Sequence, residues 1–347
     1  MTPNNTARNN ELSICKKTIR EERMICWQVT IFCTGNQQMT RKTFGRLMVL
    51  SGLLTATFLS PFATANTPPA ATAATAQKPL RLLSYNIRCG YCEPAGSANH
   101  WDTRKFLVAH QMKQIQADVI GLQEAELFQI DDLLAMLPEY ASYGLGRDDG
   151  KRQGESTAVL YRKDQFELIH SQTLWLSPTP QQVSLGWGAT INRTLTITGF
   201  RWRAATMPDL SIDSKSASDF YLLNTHFDHQ SDPARMASSE LVINEINQLP
   251  KDKPILLSGD FNLNPQHPAY QRLSTVLADA GHSSRKPSAE LSTFNAFGQP
   301  MATNPGKIDH IFLRGPVKVE QQQIDQRRYL GLYPSDHYPV IADLLLE

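Results

Sequence analysis

The sequence is short of the features that most readily announce a function. Charge of one sign is not in excess: 34 Lys and Arg stand against 33 Asp and Glu in 347 residues. That excludes a polybasic chromatin or membrane-surface binder of the usual kind. The apolar run Leu47–Leu59, LMVLSGLLTATFL, has only 13 residues, whereas a spanning helix needs about 20. Cysteine is scarce, at five. Cys15, Cys26 and Cys33 lie upstream of the apolar run, which leaves one Cys-Gly-Tyr-Cys at Cys89 and Cys92. Without a second pair this makes no four-cysteine zinc site. What remains is 41% hydrophobic, 19% charged and 8% aromatic, an ordinary globular composition that excludes collagen-like and wholly disordered chains.

The residues around the apolar run follow the order of an export signal. Met39, Arg41, Lys42 and Arg46 precede it, and the small residues Ala63-Thr64-Ala65 follow. Residues 39–65 are expected to be a cleavable signal peptide. The competing reading, a buried core helix, lacks any patterned partner upstream. Residues 1–38 are expected to be an extension from an early start assignment, with translation beginning at Met39. Cleavage after Ala65 leaves 26 Lys and Arg against 30 Asp and Glu. That mild acidity gives no general attraction to polyanions. Export implies a periplasmic or secreted protein. In an oxidising compartment a local disulfide between Cys89 and Cys92 is the plain reading, with two free thiols as the alternative.

Residues 66–78, rich in Pro, Ala and Thr, read as a flexible lead-in, and residues 79–347 as one domain with no further linker or repeat. Strand-like runs rich in β-branched and aromatic residues fall at Leu80–Ile87, Asp118–Glu124, Thr157–Lys163, Phe166–Leu176, Thr194–Ala204, Phe220–Phe227, Pro254–Asn262, Asp309–Arg314, Val317–Ile324 and Tyr338–Leu346. Helical periodicity falls at Thr103–Gln116, Asp131–Leu137, Pro233–Leu249 and Pro268–Ala280, with Asp232 as cap before Pro233. Most strands have no helix between them, which predicts two sheets packed together with helices outside.

The apolar strands end in the same kinds of residue. The segments are SYNIR (84–88), DVIGLQE (118–124), NTHFDH (224–229), GDFN (259–262), IDHIF (308–312) and SDHYPV (335–340). Carboxylate and amide oxygens are hard ligands suited to Mg²⁺, Mn²⁺ or Ca²⁺. Histidines beside carboxylates suit proton transfer and the stabilisation of an oxyanion. One such segment would be a satisfied polar cap; six in one chain point to a site.

In this order the segments resemble the endonuclease/exonuclease/phosphatase superfamily, which includes DNase I, apurinic endonucleases, inositol polyphosphate phosphatases and bacterial sphingomyelinases. The resemblance runs from about Leu80 to Leu346. GRDDG (146–150) and TLWLSPTP (173–180) are similar to a bacterial branch of uncharacterised or sugar-phosphate-directed members. The resemblance implies a four-layer α/β sandwich with the site at one edge of two central mixed sheets. It implies that Asn86, Glu124 and Asp336 bind Mg²⁺ or Mn²⁺, and that Asp260 and Asn262 orient or activate the attacking water. It places His337, oriented by Asp309, on the scissile phosphate, with His226 as the second active-site histidine. Arg88 stands where apurinic endonucleases often carry Asp, which with His226 argues against abasic-site repair.

The expected activity is that of an exported metal-dependent phosphoric ester hydrolase. Its substrate would be a small sugar- or inositol-type phosphate or a phosphodiester. An extracellular nuclease acting on nucleic acid is the alternative, although no dense basic run appears, only short pairs such as Lys151-Arg152 and Arg327-Arg328. A sphingomyelinase would want an apolar hairpin, for which Leu185–Gly188 is a thin candidate. A non-catalytic binding protein would have lost some of the acidic set. Asp228 on the face of His226, Arg193 and Arg235 are further candidates for supporting the substrate, while His229 should point away. Trp175, Trp187 and Trp202 are expected to serve core packing before any pocket.

Overall fold

The structure, a computed structural model, describes residues 79–203, 219–284 and 291–347. The expected extension (1–38), signal peptide (39–65) and lead-in (66–78) lie outside the described residues.

The first strand, β1 (Leu80–Asn86), buries nearly every residue, the mark of a strand covered on both faces. The chain continues through α1 (Trp101–Ile115), β2 (Val119–Gln123), β3 (Ala125–Glu126), α2 (Leu127–Met136), β4 (Tyr140–Tyr143), β5 (Glu155–Ser156), β6 (Val159–Arg162), β7 (Phe166–Trp175) and β8 (Thr194–Trp202). Then come β9 (Phe220–His226), α3 (Asp232–Gln248), β10 (Ile255–Asp260), α4 (Pro268–Ser274), β11 (Ala278–Asp279), α5 (Ala280–Ser283), β12 (Asp309–Arg314), β13 (Val317–Ile324) and β14 (Val340–Leu346).

Two six-stranded sheets result, ordered β13-β14-β1-β2-β6-β4 and β11-β12-β10-β9-β8-β7. Each has a parallel central pair, β1 with β2 and β9 with β10. Parallel neighbours need a crossover, and α1 and α3 supply the two. The inner faces meet in one apolar layer, where Leu82, Val119 and Val340 join Phe200, Phe220 and Leu256. Outside, α1 and α2 cover the first sheet through Val108, Met112, Ile130 and Leu133. The second is covered by α3 and α4 through Val242, Ile246, Ala269 and Leu273. The expected four-layer sandwich is therefore present.

Local details differ from the sequence reading. The expected helix from Pro268 stops at Ser274, because Ala278 and Asp279 pair with β12 as an edge strand. Ser231, not Asp232, caps α3, its side chain accepting the Ala234 N–H at 3.2 Å. The second helix starts early, at Leu127, through a reciprocal capping box between Glu126 and Gln129.

Toward the site the space between the sheets turns polar. Asn224 Oδ1 accepts from Gln123 Nε2 at 2.7 Å and from Ser258 Oγ at 3.0 Å, and Asn224 Nδ2 donates to the Leu122 carbonyl at 2.7 Å. Gly121 makes the room: a Cβ there would stand 2.5 Å from Asn224 Oδ1.

Candidate active site

Three strand ends carry the site and leave their sheets by the same device. The β1 end, Asn86, is followed by Arg88 at φ 59°, the β2 end by Glu124 at 56°, and the β10 end, Asp260, by Asn262 at 51°. Left-handed backbone is costly for such residues and persists only where the surroundings enforce it. Two side chains do so: Asn86 Oδ1 accepts the Arg88 N–H and Asp260 Oδ1 accepts the Asn262 N–H, each at 3.0 Å. Register then pairs Asp260 with His226 on one side and Asp309 on the other, so the three stand abreast on one sheet. Asp336 and His337 arrive from the turn before β14. Ser335 Oγ pins that turn by donating to the Asn86 carbonyl at 2.7 Å.

Asp260 Oδ2 is the centre of the cluster. It accepts from Asn86 Nδ2 at 3.0 Å and lies 3.5 Å from His226 Nε2 and 3.7 Å from His337 Nε2. His337 Nδ1 faces Asp309 Oδ2 at 2.9 Å. Burial alone would lower the His337 ring, but the carboxylates of Asp309, Asp260 and Asp336 push it up to about 10. Burial, reinforced by Arg193 and Arg147, holds His226 well below the ordinary histidine range. One ring is therefore a cation at neutral pH and the other neutral, the separation that marks an acid and a base. Burial and the neighbouring Asp309 push the Asp260 carboxyl up to about 7.

The donor set fits a hard divalent cation. Glu124, His226 and Asp260 each offer a ligand atom within 4.8 Å of the others, with Asp336 nearby. The carboxylate oxygens suit Mg²⁺ or Mn²⁺. Crowding supports the fit: Glu124, Asp260, Asp309 and Asp336 have side chains at most 13% exposed, and Asp260 is driven toward its neutral form. The Arg88 guanidinium responds to the same excess of charge, bridging Glu124 at 3.6 Å and Asp336 at 3.7 Å. Asn86 is brought to the site, yet its oxygen is engaged by the Arg88 N–H and its amide nitrogen faces Glu124 and Asp260.

The pocket above this cluster encloses about 600 Å³. Arg193 lines it, with Nε and Nη1 lacking hydrogen-bond partners and Nε 3.8 Å from Asp228 Oδ2. His229 lines it too, its Nδ1 accepting from Arg193 Nη2 at 3.0 Å. Asp228 is instead turned inward, its Oδ1 accepting the Gln230 and Ser231 N–H groups. Strand alternation predicted the reverse, and it fails because β9 ends at His226 and a turn begins. Arg235 does not line the pocket. Its Nη1 donates to the Asp228 carbonyl at 2.7 Å and its other end pairs with Asp232, so it braces that turn.

None of the three tryptophans lines the pocket; Trp175 is buried, and Trp187 packs on the second sheet's outer core. Sequence reasoning missed Glu155, Phe294 and Phe297, which line the pocket, and Arg104, which holds it together. Arg104 is fully buried in α1 and donates to the carbonyls of Ile87, Arg88, Cys89, Asn99 and Pro334. One guanidinium thus ties the loop after β1 to the turn before β14. Its only signal in the sequence is a charged residue among the apolar positions of a helix. Cys89 and Cys92 are joined as a disulfide.

The Endonuclease/Exonuclease/phosphatase family profile matches residues 83–337. Among solved structures, an endonuclease/exonuclease/phosphatase from Bacteroides vulgatus is 36% identical, with a TM-score of 0.69 over 77% of this chain and 99% of that one. The mannosyl-6-phosphatase of Bacteroides thetaiotaomicron is 31% identical, with a TM-score of 0.66 over 77% and 99%. Nocturnin of Drosophila melanogaster is 24% identical over 318 residues, 77% of this chain and 47% of that protein. The chain thus spans about half the length of that curated relative. Since the matched span takes in every strand end of the site from Asn86 to His337, the chain belongs to the endonuclease/exonuclease/phosphatase family.

Proposed function

We propose that the protein is an exported hydrolase of phosphate esters whose substrate is a phosphomonoester of a sugar- or inositol-type alcohol. The observation that carries the reading is the pair of histidines of opposite charge state on either side of Asp260 Oδ2. Asp260, with its carboxyl near 7, takes the proton from an attacking water at neutral pH. Asn262, anchored through Nδ2 to the Phe227 carbonyl at 3.1 Å, orients that water. Protonated His337, oriented by Asp309, donates to a phosphoryl oxygen as charge builds. Neutral His226 and Arg193 Nη1, which has no hydrogen-bond partner among the described residues, complete the cradle. A Mg²⁺ or Mn²⁺ ion held by Glu124 and Asp336 would supply charge neutralisation at the phosphate and the departing oxygen.

The similarity to a mannosyl-6-phosphatase supports a sugar phosphate. The pocket's lining supports a small substrate: among the described residues Arg88 and Arg193 are its only Lys or Arg residues, whereas nucleic-acid grooves track the backbone with many. The order of residues 39–65 and the Cys89–Cys92 disulfide support an oxidising, exported location. The test is hydrolysis by the purified protein with Mg²⁺ of hexose 6-phosphate, inositol phosphate, sphingomyelin, plasmid DNA and RNA. Phosphate release from the sugar esters is expected. Cleavage of DNA or RNA with no turnover of monoesters would replace this reading with the nuclease.

A further inference from the structure

We infer that the segment Thr293–Gln299 is a sugar-binding platform, with the Phe297 ring stacking on the alcohol half of the substrate. This rests on the phosphomonoester reading above and adds what recognises the leaving group.

The segment is fastened to the catalytic turn. The N–H groups of Asn295 and Ala296 both donate to the Asp336 carbonyl, at 2.7 and 3.2 Å, and the Tyr338 N–H donates to the Thr293 carbonyl at 2.7 Å. Thr293 Oγ1 accepts the N–H groups of Ile308 and Asp309 at 3.0 and 3.1 Å. The Phe294 ring meets the His337 ring edge-on with centroids 5.0 Å apart. Whatever lies against this segment is therefore held at a fixed distance from the reacting phosphate.

Its backbone is held in a costly shape. Ala296 and Phe297 are consecutive non-glycine residues at φ 49° and 53°, a conformation that needs enforcement. Asn295 provides it, with Oδ1 accepting the Phe297 N–H at 2.9 Å and Nδ2 donating to the Ser335 carbonyl at 3.2 Å. Core packing gives no reason for the shape. Phe294 and Phe297 are half-buried, and neither belongs to any of the three apolar clusters among the described residues. Both line the active-site pocket, and the buried Arg104 guanidinium lies 5.8 Å from the Phe297 ring centroid. The lining of the same pocket also includes Glu93, Asn99 and Gln299.

A pocket that offers an aromatic ring together with amides and a carboxylate matches the two sides of a sugar. Its C–H face is apolar and stacks on a phenyl ring, while its hydroxyls seek neutral amide and carboxylate partners. An acyl chain would need a broader apolar surface, and a nucleobase would stack without needing the hydroxyl partners.

The test compares wild type, Phe297→Ala, Phe297→Leu and Phe297→Tyr on hexose 6-phosphate, ethyl phosphate and a nucleoside monophosphate. Phe297→Ala and Phe297→Leu are expected to lower kcat/KM for hexose 6-phosphate about tenfold, mainly through KM, and that for ethyl phosphate less than about twofold. Phe297→Tyr keeps the flat face and should retain the wild-type ratio. The Leu variant keeps the bulk and so reads the stacking even if Ala loosens the segment. Equal losses on hexose 6-phosphate and ethyl phosphate, or none on the hexose ester, would overturn the platform. A larger dependence for the nucleoside monophosphate would overturn its sugar specificity. If no monoester is turned over, the phosphomonoester reading fails. The platform is then judged by saturation-transfer NMR with hexose 6-phosphate. Contact to the sugar ring protons that is lost in Phe297→Leu sustains it, and absence of contact in the wild type rejects it.

Discussion

Replacing Asp309 by Asn changes one charge and almost no volume, at a point where the structure says that charge decides the chemistry. Its Oδ2 lies 2.9 Å from His337 Nδ1, and neither side chain is more than 5% exposed. Three carboxylates, Asp309 first among them, push His337 up to about 10, and Asp309 also helps push Asp260 up to about 7. A histidine raised in this way keeps its proton until pH climbs through its folded value, so the acid form of His337 fails on the alkaline side. A carboxyl raised in this way becomes a base only as pH rises through its own value, so Asp260 sets the acid side. Asp309→Asn weakens both effects, and both limbs of the kcat/KM profile should move to lower pH. The alkaline limb should move toward about 6.5, the ordinary histidine value. Loss of a donor that acts only in the transition state costs roughly 10²–10³ in rate, and His337→Ala should lose at least that. Combining Asp309→Asn with His337→Ala should be no slower than His337→Ala alone, because the two residues act as one unit. The assay is the pH–rate profile of all four proteins at saturating Mg²⁺, read for displacement between variants. Thermal melting should move only a few degrees, since ~1 kcal/mol corresponds to about 2–4 °C in a domain of this size. Losses that multiply in the double variant, or limbs that stay in place, would refute the pairing.

Removal of divalent metal by EDTA should abolish turnover and Mg²⁺ or Mn²⁺ should restore it; Glu124→Gln should raise the metal concentration needed for half-activity, seen by titration, while leaving the melting temperature within a few degrees. Full hydrolysis after rigorous chelation would contradict the metal reading. Intact mass spectrometry of the protein from its native cell should find an N-terminus near Asn66 and a mass lighter by two hydrogens for the Cys89–Cys92 bond, whereas a chain retaining Met39 would contradict export. Burial would raise the Asp279 carboxyl, but His310 at 3.1 Å and Lys307 at 3.3 Å hold it well below the ordinary range. A depressed carboxyl stabilises the fold above its unfolded value and loses that contribution as pH falls. Asp279→Asn should therefore melt roughly 6–20 °C lower at pH 7, the cost of breaking a buried pair being roughly 3–5 kcal/mol, and the gap should narrow below about pH 4. A gap unchanged between pH 7 and pH 3 would show that the carboxylate charge is not what matters there.

The sequence by itself determined where the strands end and what stands at those ends. Apolar runs such as Pro254–Leu257 leading into Asp260, or Phe220–Leu223 into His226, are local signals, because burial on both faces dictates residue type along a few consecutive positions. Their order was enough for the two-sheet sandwich and for the residues gathered around Asp260. It was not enough for β11, where Ala278 and Asp279 become a strand only because β12 offers an edge. Nor could alternation along β9 foresee that Asp228 turns inward and His229 outward once the strand has ended. Tertiary structure alone decided the charge states, since the groups that set them are distant in sequence: Asn86 meets Asp260 across 174 residues, and Asp309 meets His337 across 28. It alone enlisted Arg104, whose five carbonyl partners come from segments up to 230 residues away, and Phe297, whose backbone shape is imposed by Asn295 and the turn at Asp336. Burial and proximity fix protonation and side-chain partners, and neither exists until the sheets have closed on one another.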